Sequence, residues 1–128
     1  MKKPKYAGKY NFDAIYRGDS LLEKTITISA NNEPLIPTKV CMQLRTKDDE
    51  FLYEFETEID ELTGKVTILM VDGEDTKLWP VGTHDYDVEY TLKEGAIRTY
   101  LYGNLAVNAD VSKSLPEEEN DENDEGNP

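Results

Sequence analysis

The sequence predicts a single all-β domain of the sandwich type, followed by a disordered acidic C-terminal tail. Three observations predict it. Apolar side chains recur with a period of two along most of the chain. Turn residues interrupt that alternation at roughly the 8–12-residue spacing of a sandwich or barrel. No segment keeps a 3.6-residue period long enough for a crossover helix, so the sheets are expected to be antiparallel.

The chain has 128 residues, enough for one domain. Hydrophobic residues make up 38% and charged residues 32%, poorer in apolar side chains than an ordinary globular domain. The deficit is uneven, because Glu117 to Pro128 contain no apolar side chain at all. The expected organisation is a basic arm over residues 1–9, a folded domain over 10–115 and a disordered tail over 116–128.

The strands follow in order. Tyr10, Phe12, Ala14 and Tyr16 alternate with polar neighbours, and Arg17-Gly18-Asp19-Ser20 ends the run. Leu22, Lys24, Ile26 and Ile28 share the face of a second strand, whose β-branched residues Thr25 to Ile28 disfavour helix. Asn31-Asn32-Glu33-Pro34 reads as a turn, since Asn tolerates left-handed backbone and Pro34 has no N–H to donate. A third strand sets Val40, Met42 and Leu44 against Lys39, Cys41, Gln43 and Arg45. Phe51, Tyr53 and Phe55 line a fourth, which decays into Glu56-Thr57-Glu58, and Val66, Ile68 and Met70 line a fifth.

Residues 74–82 allow one helical turn before Pro80 and Gly82 stop it. His84, Tyr86, Val88, Tyr90 and Leu92 form one face of the sixth strand, and Lys93-Glu94-Gly95 closes a hairpin. The seventh carries Ile97, Thr99 and Leu101 opposite Arg98, Tyr100 and Tyr102. Gly103 is expected to mark a bulge or kink, after which Leu105, Val107, Ala109 and Val111 resume the alternation.

Charge narrows the function classes. The net charge is −13. Setting aside the seven carboxylates between Glu117 and Glu125 leaves 20 acidic against 14 basic residues, about −6. Such a body repels phosphate backbones, which argues against a nucleic-acid partner. Lys2, Lys3, Lys5 and Lys9 form a short basic arm, read mainly as solubilising and as a candidate partner contact. One cysteine, Cys41, excludes an internal disulfide framework and a cysteine-rich zinc site. No run approaches the roughly 18 apolar residues of a membrane helix, and the start is too polar for a secretory segment. No membrane partner is expected, and synthesis is expected in a cytoplasm.

The chemistry-bearing residues do not combine into a site. His84 alternates away from Asp85 and Asp87, so the three do not converge on a metal without help from neighbouring strands. Asp85 and Asp87 share a face, as carboxylates on solvated strands often do. Cys41 has one histidine in the whole chain to activate it. The acidic loops 48–50 and 72–75 lack calcium-loop spacing. No cofactor and no catalytic residue is expected. Trp79, Tyr100 and Tyr102 are candidate partner-binding aromatics, although Leu78 and Trp79 also suit a plug at the end of the core.

The order of motifs resembles a known family. Phe12 to Ser20 with its Arg-Gly-Asp-Ser ending, Val40 to Arg45, Val81 to Val88, and Thr99 to Gly103 recur in the order and spacing of small phage and prophage virion proteins. The N-terminal domain of the baseplate upper protein family is among them. The resemblance spans about Tyr10 to Ser112. Ser20 stands where threonine is usual and His84 where tyrosine is frequent, and the acidic tail is no part of the pattern. The resemblance implies an immunoglobulin-like sandwich of about seven strands. It also implies a non-enzymatic assembly protein of a bacteriophage virion (tail, baseplate or head appendage), located in the virion, with other virion proteins and its own copies as partners. The alternative is a carbohydrate-binding β-sandwich module for host-surface attachment, with Trp79, Tyr100 or Tyr102 as stacking platform.

Overall fold

A computed structural model describes residues 7–109. Lys2, Lys3, Lys5 and the acidic tail, with the expectations attached to them, lie outside the described residues. The longest strands are those with the clearest alternation. They are β6 (Lys39–Arg45), β10 (Gly82–Thr91) and β11 (Ile97–Asn108). Together with β1 (Gly8–Lys9), β2 (Ile15–Tyr16) and β7 (Phe51–Glu54) they make a large sheet in the order β1-β11-β10-β6-β7, with β2 also on β11. A smaller sheet runs β3 (Lys24–Ile26), β9 (Val66–Ile68), β8 (Thr57–Ile59). A hairpin of β4 (Ser29–Ala30) and β5 (Glu33–Pro34) extends beyond β3. Its turn holds Asn31 and Asn32 at φ 54° and 66°, the left-handed pair such a turn demands.

The first strands pair parallel with the last, Gly8 opposite Leu101 and Ile15 opposite Val107, while the pairs β10–β11, β10–β6, β6–β7, β3–β9 and β8–β9 are antiparallel. Two sheets joined in this way are an immunoglobulin-like β-sandwich. The core lies between them. Met42 and Leu44 from β6, Tyr86, Val88 and Tyr90 from β10, and Leu105 and Val107 from β11 pack against Val66, Ile68 and Val71. Within each strand these residues occupy alternate positions, as period two requires, and Val71 joins them from beyond β9, where it bridges Leu21.

Several details depart from the sequence expectation, each for a non-local reason. The fourth run does not decay at Glu56. The chain changes sheets after Phe55, and Thr57–Ile59 becomes β8. In the second run Leu21, which bridges Val71, is the buried residue and Leu22 is exposed. The first run is broken between β1 and β2, so that Phe12 is buried while Tyr16 is exposed and Ile15 half-buried.

Gly103 is no bulge. The register slip of β11 falls between Val88 and Glu89 of β10, which leaves Tyr100 as the extra residue, and β11 runs straight through Gly103. What Gly103 provides is room. A Cβ there would lie 1.8 Å from the Tyr10 carbonyl oxygen, so a side chain cannot be accommodated while the N-terminal segment stays on β11. Gly103→Ala is therefore expected to cost about 1–3 kcal/mol in urea unfolding, as overpacking does. Gly8→Ala, with open space around it, is expected to change the midpoint hardly at all.

Candidate functional site

Trp79 follows a single helical turn, α1 (Gly73–Thr76), started by Asp72, whose side chain accepts from the Glu74 N–H. Thr76 ties this turn to the one at Arg17–Ser20: its hydroxyl donates to the Asp19 carbonyl at 2.8 Å and accepts from the Gly18 N–H at 3.1 Å. The chain is thereby directed so that Trp79 enters the core, 2% exposed, with Tyr53 edge-on at 5.4 Å and Phe55 tilted against it at 6.3 Å. Leu78 does not join it and is 78% exposed. A sugar platform needs an exposed ring face, and Trp79 has none.

The bulge separates the other two aromatics. Tyr100 packs edge-on against buried Tyr90 at 5.5 Å. Tyr102 lies opposite Asp87 of β10, on the outer face of the large sheet. Trp79, Tyr100 and Tyr102 therefore share no surface. Burial pushes the Tyr90 phenol up to about 12, and its hydroxyl has no hydrogen-bond partner among the described residues.

The outer face of the large sheet is a network of charged and polar groups. Directly paired positions set Arg45 beside Asp85, Gln43 beside Asp87 and Cys41 beside Glu89. Lys47 reaches over to Asp85 at 2.7 Å. Arg45 donates to the Gln43 side chain at 2.5 Å and to the Asp49 carbonyl at 3.2 Å. Gln43, Arg45, Thr46, Lys47, Asp85 and Asp87 line a cleft of about 390 Å³. Burial, and then the charge of Glu89, pushes the Asp87 carboxyl above its usual range. The same causes act on Cys41: burial and the charges of Glu54, Glu89 and Asp87 push its thiol up, which disfavours the thiolate a nucleophile needs.

His84 faces the core, and its Nε2 donates to the Pro80 carbonyl at 2.6 Å. Asp85 and Asp87 project from the opposite face, as alternation requires. Among the described residues no three His, Cys, Asp or Glu side chains are grouped to hold a metal. No described helix is long and apolar enough to cross a membrane.

The sequence reading did not anticipate where the surface is open. Strand β3 is an edge of the small sheet and β7 an edge of the large one. At β7, Phe51 is 54% exposed with the Arg45 guanidinium 5.9 Å from its ring centre. Beside β3, an apolar groove of about 410 Å³ opens between the two sheets, lined chiefly by Tyr10, Phe12, Ile26, Ile28, Ile68 and Leu101. The alternation of Ile26 and Ile28 with threonines was the available signal: it marks a half-buried strand without saying which neighbour covers it.

No family model matches the chain, and neither does any curated protein. Among solved structures it is similar to CopC from Methylosinus trichosporium OB3b, at 11% identity and a TM-score of 0.46, over 80% of this chain and 88% of that one. It is also similar to the fibronectin(III)-like modules of Clostridium thermocellum CbhA, at 18% identity and a TM-score of 0.41, over 80% of this chain and 92% of that one. At these scores neither likeness bears on what this chain does.

Asp87 gives a pH test of the outer face. Its carboxyl is raised in the folded chain, so the native state binds its proton more tightly than the unfolded state does. Its contribution to stability is therefore present at low pH and is lost as pH rises from the unfolded value through the folded one. Asp87→Asn is expected to raise the thermal midpoint at pH 7 and leave it nearly unchanged at pH 3, as differential scanning calorimetry at the two pH values would show.

Proposed function

We propose that this chain is a non-enzymatic assembly protein of a bacteriophage virion, acting through protein–protein interfaces with other virion proteins and with copies of itself. The observation that carries the reading is the pair of open sheet edges. A strand edge presents a row of N–H and C=O groups ready to bond another chain, and among the described residues both sheets end in one. Exposed Phe51, Leu62, Leu78, Val81 and Ile97 supply apolar contact area at the same edges and at the ends of the sandwich. The motif order from Phe12 to Gly103, with its resemblance to phage virion proteins, supports the same reading and supplies the virion.

The residues with chemical potential support it in another way. Burial and nearby carboxylates push the Cys41 thiol up, His84 is spent on a backbone carbonyl, and Asp85 is paired with Lys47. The sugar-platform alternative loses Trp79, which lies inside the core, and keeps only the half-buried Tyr100 and Tyr102, which do not share a face.

Two measurements test the assembly reading. Mass spectrometry of purified particles is expected to find the chain among the virion proteins. Sedimentation of the full chain is expected to show self-association or binding to a neighbouring virion protein, weakened by Phe51→Asp with the fold retained. A protein that stays monomeric, binds no virion component and is absent from particles would overturn the proposal.

A further inference from the structure

The groove beside β3 joins an apolar floor to an open strand edge. Ile26 and Ile28 are half-buried along it and alternate with exposed Thr25 and Thr27. The edge is longer than β3 itself. Where the chain passes from β3 into β4, the Leu35 N–H donates to the Ile28 carbonyl at 2.7 Å. The Leu35 carbonyl lies against Gly64, just ahead of β9, so β5 takes over from β9 on the side already paired. The other side has no described partner from Lys24 to Ala30, about 23 Å at the rise of a strand.

One charge sets what fits there. Of the residues lining the groove only Lys24 is charged. Its ammonium stands 5.8 and 6.0 Å from the ring centres of Tyr10 and Phe12 and pairs with no described carboxylate, in a chain of 27 acidic against 14 basic residues. An unmatched cation at the rim of an apolar floor is complementary to a carboxylate with aliphatic neighbours. The open row of backbone groups is complementary to a strand. Residues directly opposite in a ladder share a face. The incoming strand therefore needs an acidic side chain at Lys24 and aliphatic side chains two and four positions along, at Ile26 and Ile28.

The described edges of the chain itself lack that pattern. Twofold pairing of β3 with β3 of a second copy matches residues of like parity, so Lys24 would face an even-numbered residue between Leu22 and Ala30, none of them acidic. Strand β7 is interrupted at Leu52, where its register on β6 shifts, and β8 sets Glu58 and Ile59 on opposite faces. Neither β1 nor β2 contains an acidic residue. We propose that the groove receives an extended strand of a different protein, antiparallel to β3, with an acidic side chain at Lys24 and aliphatic side chains over Ile26 and Ile28. This rests on reading the chain as an assembly protein and gives the chemistry of one partner.

A pair of peptides tests it on the full chain. The probe is the capped heptapeptide acetyl-Thr-Val-Thr-Val-Thr-Glu-Thr-amide, whose glutamate meets Lys24 when the valines lie over Ile26 and Ile28. At about 1 mM it is expected to slow amide exchange at residues 24–28 about fivefold or more. Lysine in place of its glutamate is expected to weaken binding about fivefold. Lys24→Glu in the protein is expected to reverse that preference, with an unchanged far-ultraviolet spectrum because Lys24 lies outside the core. Exchange indifferent to both peptides would overturn the proposal, and so would binding that ignores the reversal of charge. Exchange at residues 24–28 that slows with protein concentration alone would assign the groove to a second copy and overturn it too. None of these outcomes depends on whether the chain is found in particles, so the assembly reading stands or falls separately.

Discussion

The sandwich depends on a contact that only a missing side chain permits. Gly103 of β11 sits directly opposite Tyr86 of β10, and the Tyr10 carbonyl fills the space where a Cβ would be. The Tyr86 hydroxyl donates to that same carbonyl at 2.6 Å. The chain is further fixed by the Tyr10 N–H to the Tyr102 carbonyl at 2.9 Å and the Phe12 N–H to the Asn104 carbonyl at 3.0 Å. Phe12 is thereby carried inward, edge-on to Tyr86 at 5.0 Å and to Tyr10 at 5.3 Å. One side of the sandwich is closed by this segment passing close under β11. Burial, with the neighbouring Tyr10 phenol a smaller cause, raises the Tyr86 phenol well above its ordinary range, so it remains a hydrogen-bond donor at any physiological pH.

Closing the side in this manner determines what stays open. Because the described N-terminal residues pair with β11 at both Gly8–Lys9 and Ile15–Tyr16, none of those described pairs with β3. The edge of the small sheet and the groove under it follow from that choice. The two aromatic groups follow it too. Phe12 and Tyr86, with the exposed Tyr10 at their rim, fill one part of the core, while Phe55 and Trp79, with half-buried Tyr53 against them, fill another, near the single helical turn that Thr76 ties to the Arg17–Ser20 loop.

What the sequence made legible follows the same division between local and distant causes. The faces of β6 and β10 were readable residue by residue, because each strand lies between two others and buries one face along its length. The turn at Asn31-Asn32 was readable because its backbone preference is local. The sheet change at Phe55 and Glu56 was not, since a two-residue step carries no periodicity of its own. Gly103 drew notice as an irregularity, yet its partner, the Tyr10 carbonyl, is 93 residues distant and has no side-chain signature. Tyr100 and Tyr102 were assigned a common face by a parity rule that one extra residue reverses. Of the candidate surfaces, the aromatics were named from side-chain identity, whereas the open edges arise from pairing and could be seen only once the partners of β3 and β7 were known.

An exposed edge is a hazard as well as an opportunity, and charge decides between the two here. Glu54 and Glu56 flank the end of β7, and Glu23 and Lys24 stand at the start of β3. The whole chain carries −13, so two copies meeting edge to edge at random repel one another over distances up to about 8 Å at physiological salt. Repulsion of this kind does not forbid assembly. It restricts assembly to arrangements that bring Lys24, Arg45 or Lys47 of one molecule against the carboxylates of another, or to partners of opposite charge. Backbone hydrogen bonds along an edge are indifferent to sequence, so on this sandwich selectivity must come from the charged side chains that border the edge.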